Sequence, residues 1–240
     1  MSPGRSPGTE SVLPIPTPHR TSPSPMPRHP RAFAAGQTLH VIQRGNNRSA
    51  CFACDTDRAT YLTMLHDLAV VTGCALHAYV LMTNHVHLLL TARESASASA
   101  LVKRLGQRYS ALTNRKYQRT GSLWECRFRA SPVTSDAYVL ACYQYIELNP
   151  VRAGMVATPE EYRWSSHRAN VGLERLDPLV PHPTFAALSY AGRDARTIYR
   201  GRFGESLDPA TIADIRAGRA QGAHFAPVSD TVSDTVSDTV

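Results

Sequence analysis

Two histidines one residue apart, His85-Val86-His87, open an apolar run in this chain of 240 residues. In a strand, residues i and i+2 point to one face and lie about 6–7 Å apart along the backbone. Two imidazoles so placed can converge on one divalent ion, while Val86, Leu88 and Leu90 pack on the other face. A lone His-x-His pair is more often a surface or structural feature than a ligand pair. The second string with chemical potential is Tyr143-Gln144-Tyr145-Ile146-Glu147-Leu148-Asn149. Tyr145 and Asn149 are four apart and share a helical face if the helix persists through Asn149, which Pro150 works against. A phenol can attack phosphorus once a cation withdraws charge from the phosphate, and an amide oxygen can complete the ligand set. Tyrosine on a helix is more often a packing residue, so this string is ambiguous by itself.

The elements that would position these groups follow from periodicity. Thr38–Arg44 reads as a short strand, followed by the turn Gly45-Asn46-Asn47. Apolar residues at Tyr61, Leu62, Leu65, Leu68 and Ala69 predict a helix over Asp57–Val71, with Thr56 as its N-cap and Gly73 as its stop. Ala75–Met82 and His85–Thr91 predict a hairpin around Thr83-Asn84. Ala98, Leu101, Val102, Leu105, Tyr109 and Leu112 mark a second helix. Ser122–Ala130 alternates as a strand, with Trp124, Cys126 and Phe128 on one face and Leu123, Glu125, Arg127 and Arg129 on the other. Ser135 is placed to cap a third helix that Asn149-Pro150 ends. The order predicts an α/β (α+β) sandwich with a largely antiparallel central sheet flanked by helices. Asp208-Pro209 opens one more short helix that stops near Gly218.

The formal net charge is +7, and of the 26 basic residues only Lys103 and Lys116 are lysine. An arginine fork matches phosphate oxygens two at a time, although a GC-rich genome also favours arginine. Residues 93–129 hold nine basic residues against Glu94 and Glu125, a local excess equal to that of the whole chain. Cations interleaved with aromatic rings suit a nucleic-acid strand, and a solvated helix face suits them too. The longest apolar stretch, Leu68–Met82, is too short and too interrupted for a membrane span, and no secretory signal is visible. Five cysteines in a chain of this size read as reduced thiols in a cytoplasm. Cys51-Phe52-Ala53-Cys54 has zinc-like spacing without a second pair. Nine of the 17 prolines fall in residues 1–30, a composition that predicts disorder, and Met26 near its end is a candidate start codon. Residues 31–170 form the expected domain, 171–225 a helical extension, and 226–240 a low-complexity tail of VSDT repeats.

The strings LHVIQRGNNR (Leu39–Arg48), HAYVLMTNHVHLLL (His77–Leu90), GSLWECRFR (Gly121–Arg129), YIELNPVRAGMV (Tyr145–Val156) and YRWSS (Tyr162–Ser166) together resemble the REP-associated tyrosine transposases. These are single-tyrosine HUH nucleases akin to insertion-sequence transposases. The resemblance implies an HUH-nuclease, ferredoxin-like architecture. It implies that His85 and His87 bind Mg²⁺ or Mn²⁺, that Asn149 completes the metal site, and that Tyr145 is the nucleophile. The implied partner is single-stranded or hairpin DNA, cut and rejoined through a 5′-phosphotyrosine, by a monomer or homodimer associated with the nucleoid. Arg44, Asn46, Asn47 and Arg48 on the first turn, and Lys103, Arg104, Arg108 and Arg115 on the second helix, are candidate DNA contacts. Trp124, Arg127, Arg129 and Arg152 join them. A non-cleaving hairpin binder is the main competing reading. A replication initiator would need a helicase domain, and the chain has no G-x-x-x-x-G-K-[ST] string.

Overall fold

The computed structural model describes residues 33–175, 178–204 and 207–219. The proline-rich segment, Met26 and the VSDT tail lie outside the described residues. Four strands form one antiparallel sheet in the order β2-β3-β1-β4: β1 (Thr38–Arg44), β2 (Cys74–Leu81), β3 (His85–Ala92) and β4 (Arg129–Val133). The register sets Arg44 opposite His85 and Ile42 opposite His87 on β3, with Arg129 opposite Ile42 on β4. Residues Thr38, His40, Ile42 and Arg44 therefore share one sheet face with His85, His87 and Leu89.

The opposite face, with Leu39, Val41 and Gln43, is covered by α1 (Asp55–Thr72) and α2 (Ser97–Lys116). A side chain at Gly106 of α2 would place its Cβ 2.9 Å from Gln43 Nε2, so glycine is what lets the helix approach β1. Tyr61, Tyr109, Phe52 and Trp124 interlock in this layer, with Trp124 Nε1 donating to Gly106 O at 3.2 Å. The expected N-cap Thr56 is corrected to Cys54. The buried Asp57 carboxylate reaches back to accept from Ala53 N and Cys54 N, which starts the helix two residues earlier.

The expected strand Ser122–Ala130 is also corrected. Leu123 and Trp124 are consecutive and both buried, which simple alternation does not allow, and the chain bends there. Residues 123–125 only bridge to the turn after β1, through Asn46 N to Leu123 O and Glu125 N to Arg44 O, and the strand proper starts at Arg129. Pro132 is tolerated because β4 is an edge strand.

The histidine-bearing face is covered by α3 (Asp136–Glu147), which Ser135 caps as expected by accepting from Tyr138 N at 3.2 Å. Every residue from Tyr138 to Glu147 is buried, because further helices cover the side of α3 away from the sheet. Beyond Leu148, whose backbone stays helical, α4 (Asn149–Arg152) adds one turn with Pro150 near its start. Leu148 N still donates to Gln144 O, and Arg152 N to Leu148 O, so the Asn149-Pro150 pair changes helices without turning the chain away. Among the described residues four more helices follow: α5 (His167–Asn170), α6 (Pro183–Ala186), α7 (Ala195–Gly201) and α8 (Pro209–Ala217). Asp208 caps α8 and Gly218 ends it in the left-handed region, as expected.

A strap between α4 and α6 runs along the outer edge of β2, where Leu81 N donates to Trp164 O, Ser166 N to Tyr79 O, and Val180 N to Leu76 O. It meets α3 at Glu147, which is fully buried. Glu147 Oε1 accepts from Ser166 Oγ at 2.8 Å and Asn170 Nδ2 at 2.7 Å, and Oε2 accepts from Tyr199 OH and His167 Nδ1, each at 3.0 Å. His167 Nε2 in turn lies 3.2 Å from Glu160 Oε1.

Replacing Glu147 by alanine leaves four buried donors without their acceptor. The expected loss of unfolding free energy is about 3–5 kcal/mol by urea denaturation; a loss of less than about 1 kcal/mol would show the donors finding other partners. His167 adds a pH signature. Burial disfavours its imidazolium, yet the Glu147 and Glu160 carboxylates raise its pKa above the ordinary value. A raised folded-state pKa contributes stability that is complete below the unfolded value, about 6.5. That stability is lost as pH rises through the folded value. Other buried histidines shift in the opposite direction, so the difference between wild type and His167→Gln isolates the effect. That difference should be largest in acid and shrink as pH rises.

Candidate active site

The site is assembled on the sheet face beneath α3. His85 and His87 project from β3 with ring centroids 4.9 Å apart. Tyr145 of α3 stands edge-on to His87 at 5.7 Å, so the helix and the strand bring the tyrosine to the histidine pair. Sequence reading missed a third ring, His40 of β1. It stacks on His87 at 5.1 Å, bonds Nε2 to His87 Nδ1 at 2.9 Å, and meets Tyr145 edge-on at 5.9 Å. Its signal was a polar residue inside a buried strand, but only the cross-strand register says which residue it serves.

Asn84, in the hairpin turn, was missed as well. Its Oδ1 accepts from His85 Nδ1 at 2.7 Å, while its Nδ2 donates to Arg48 O at 3.1 Å and so fixes the amide orientation. His85 therefore carries its proton on Nδ1 and keeps the Nε2 lone pair available. When His87 Nδ1 donates to His40, its Nε2 is available in the same way. Burial pushes His40 down to about 4. Burial and then the Arg44 charge push His85 to about 4. His87 lies well below its ordinary value through burial, the neighbouring His40 and His85, and then Arg152 and Arg44. Neutral imidazoles are what a cation requires as ligands.

Asn149 lies one turn beyond Tyr145. Its Nδ2 donates to Tyr145 O at 3.3 Å, which leaves Oδ1 as the atom a cation could use. Among the described residues no three His, Cys, Asp or Glu side chains converge as a metal cage. By donor type, two neutral imidazoles and an amide oxygen suit a divalent ion; the structure brings the two imidazoles together, and Asn149 stands one turn beyond Tyr145.

The candidate DNA contacts divide between the two sides of the sheet. Arg44, Asn46, Asn47 and Arg48 are exposed at the end of β1 beside His85, with Asn47 and Arg48 at positive φ. Arg129 is exposed on β4, two strands across from His87 on the same face. Arg127 is exposed just before it. Arg152 reaches the site itself: its Cζ lies 4.2 Å over the Tyr145 ring, and its Nη2 donates to Tyr145 O at 2.7 Å. Lys103, Arg104, Arg108 and Arg115 are exposed on α2, which packs on the other side of the sheet, so the structure does not bring them to the tyrosine. Trp124 is a core residue, 7% exposed between Tyr61 and Tyr109, and offers no open face for a base. Cys51 is buried, Cys54 is exposed, and neither is in a disulfide.

No helix among the described residues is long and apolar enough to cross a membrane. No curated protein matches the chain. One solved structure of similar fold is a REP-associated tyrosine transposase bound to a REP hairpin, with a TM-score of 0.51 at 18% identity over 66% of this chain and 88% of that one. A second is a Deinococcus radiodurans R1 protein assigned as a transposase, at 20% identity over 56% of this chain and 97% of that one, with a TM-score of 0.36. The family model described as IS200-like transposase matches residues 34–149, a span that contains the whole sheet, both histidines and the tyrosine helix. Over those residues the chain is similar to the IS200-like transposases.

Proposed function

We propose that the protein is a metal-dependent endonuclease and strand transferase acting on single-stranded, palindromic DNA through Tyr145. The observation that carries this reading is the convergence of Tyr145 with His85, His87 and His40 on one sheet face. A hairpin as substrate is supported by the relative of similar fold solved with a REP hairpin.

The DNA strand is taken up by the exposed turn Arg44–Arg48 and by Arg129, whose guanidinium groups suit phosphate oxygens. His85, His87 and Asn149 would hold Mg²⁺ or Mn²⁺, which when bound polarises the scissile phosphate and stabilises the charge developing on it. Asn84 and His40 orient the two imidazoles, as hydrogen-bonded neighbours of metal-binding histidines do. Tyr145 attacks in line: the Oη–P bond forms as the P–O3′ bond breaks, the phenol proton passes to solvent, and the 3′ oxygen takes up a proton. The phosphodiester energy is kept in the 5′-phosphotyrosine, so joining to another 3′-OH needs no nucleotide triphosphate. Lys103, Arg104, Arg108 and Arg115 would serve as a second phosphate track on the far side of the sheet, outside the reacting centre.

Tyr145→Phe is expected to abolish the covalent adduct formed with a labelled flanking palindrome and Mg²⁺ or Mn²⁺, seen on a denaturing gel. Hairpin affinity should stay within about twofold, as expected for a hydroxyl that acts only in the chemical step. An adduct persisting on this variant would overturn the nucleophile assignment. Hairpin binding by the wild type without any adduct would establish the non-cleaving binder instead. His40→Ala removes the partner of His87 Nδ1 and should weaken Mn²⁺ binding, measured by calorimetry on the DNA-bound protein, by about 10–100-fold. An unchanged affinity would place His40 outside the metal's support.

A further inference from the structure

Arg152 is a half-buried cation with an unusual set of partners. Its Nη2 is bonded to Tyr145 O and its guanidinium lies over the Tyr145 ring, but its Nη1 is buried and without a hydrogen-bond partner. Among the described residues no carboxylate pairs with it. Burial disfavours its charge, the Tyr145 phenol favours it, and Arg216 of α8 opposes it. An unpaired buried guanidinium N–H is costly, and a buried charge without a counterion more so. A residue held this way for packing alone would be expected to carry an acidic partner. What the surroundings lack is an anion, and the group beside which they lack it is the tyrosine.

We infer that Arg152 is a catalytic residue whose free Nη1 binds a non-bridging oxygen of the phosphate that Tyr145 attacks, and keeps that oxygen in the phosphotyrosine. This rests on the reading of Tyr145 as nucleophile. The chemistry fits the geometry. One nitrogen is anchored to the nucleophile's own backbone and the guanidinium carbon lies over its ring, so the remaining nitrogen is held beside that ring. A phosphate joined to that phenol sits at the hydroxyl end of the ring, within reach of a guanidinium held over it. The bonds made and broken are unchanged: Oη–P forms, P–O3′ breaks, and the guanidinium stays protonated while its N–H donates to charge that grows on the phosphate. The cation stacked on the ring also restrains the ring's orientation and disfavours drift of the phenol from the line of attack.

The test is a coupling measurement between Arg152 and the scissile phosphate. Wild type, Arg152→Lys and Arg152→Gln are given palindromic substrates carrying either phosphorothioate diastereomer at the cleaved position, and adduct formation is timed in single turnover. Loss of one charge-assisted hydrogen bond predicts that Arg152→Gln slows the oxo substrate by about 10–100-fold. Arg152→Lys, which keeps the charge without the fork, should recover only part of that rate. For one diastereomer, sulfur should slow the wild type but add no further loss in Arg152→Gln, because the contact it would weaken is already gone. Hairpin affinity should change little in either variant, which separates this role from general phosphate anchoring. Equal thio effects in wild type and Arg152→Gln for both diastereomers would overturn the contact while leaving the Tyr145 reading intact. Absence of any adduct on the wild type would overturn both.

Discussion

The carboxylate of Glu147 is the constraint on which the arrangement depends. It ends α3, two residues after Tyr145, and is enclosed on every side. A carboxylate so placed is tolerable only when its oxygens are fully satisfied, and here the donors come from the strap (Ser166), α5 (His167 and Asn170) and α7 (Tyr199). The strap is tied to β2 through the same residues: Ser166 bonds the Tyr79 backbone, and Asn170 Nδ2 donates to His77 O. One ion thus connects the end of the tyrosine helix to the sheet edge and to the C-terminal helices. None of these donors lies within residues 34–149, the span matched by the transposase family model. The position of Tyr145 accordingly depends on chain outside that span.

The histidine face answers a different requirement. A face that carries several imidazoles under a fully buried helix is polar where a core should be apolar. The structure resolves this by pairing: His87 with His40, and His85 with Asn84. Burial then keeps the rings neutral, so no unpaired imidazolium is trapped beside Arg44 and Arg152. The same neutrality that makes the layer tolerable leaves lone pairs for a cation. Stability and ligand competence here have one physical origin.

Much of the frame was legible because it rests on apolar periodicity. Thr38–Arg44, the hairpin around Thr83-Asn84, the second helix and the Ser135 cap all follow from alternation, helical spacing and capping chemistry. The corrections fall where a polar or local contact prevails over pattern. Asp57 moves the start of α1, and the adjacent buried Leu123 and Trp124 bend the segment read as a strand. The extension from residue 171 carries little periodicity for a related reason. It is held by individual bonds such as Tyr199 to Glu147 and His182 Nε2 to Thr38 Oγ1, and such bonds leave no period in a sequence. In the candidate site, His85, His87, Tyr145 and Asn149 were readable from local spacing and family resemblance. His40 was not, because its role is set by strand register alone.

Charge shows how a correct local count can still mislead about place. The basic residues of 93–129 are contiguous in sequence, yet the sheet divides them. Lys103, Arg104, Arg108 and Arg115 stand on the helix that covers Gln43 and Val41, whereas Arg129 stands in the row of His87. Cations on the tyrosine's side of the sheet come from separate segments: Arg44 at the end of β1, Arg129 at the start of β4, and Arg152, which touches the tyrosine, one helical turn past α3. Arg44 and Arg129 are open to water, where a phosphate contact is screened and positions the strand more than it changes its reactivity. Arg152 is the one whose free N–H is already out of water and fixed against the phenol. A charge held in that state is already organised for an anion, so it need not be desolvated or reoriented as negative charge builds on the phosphate.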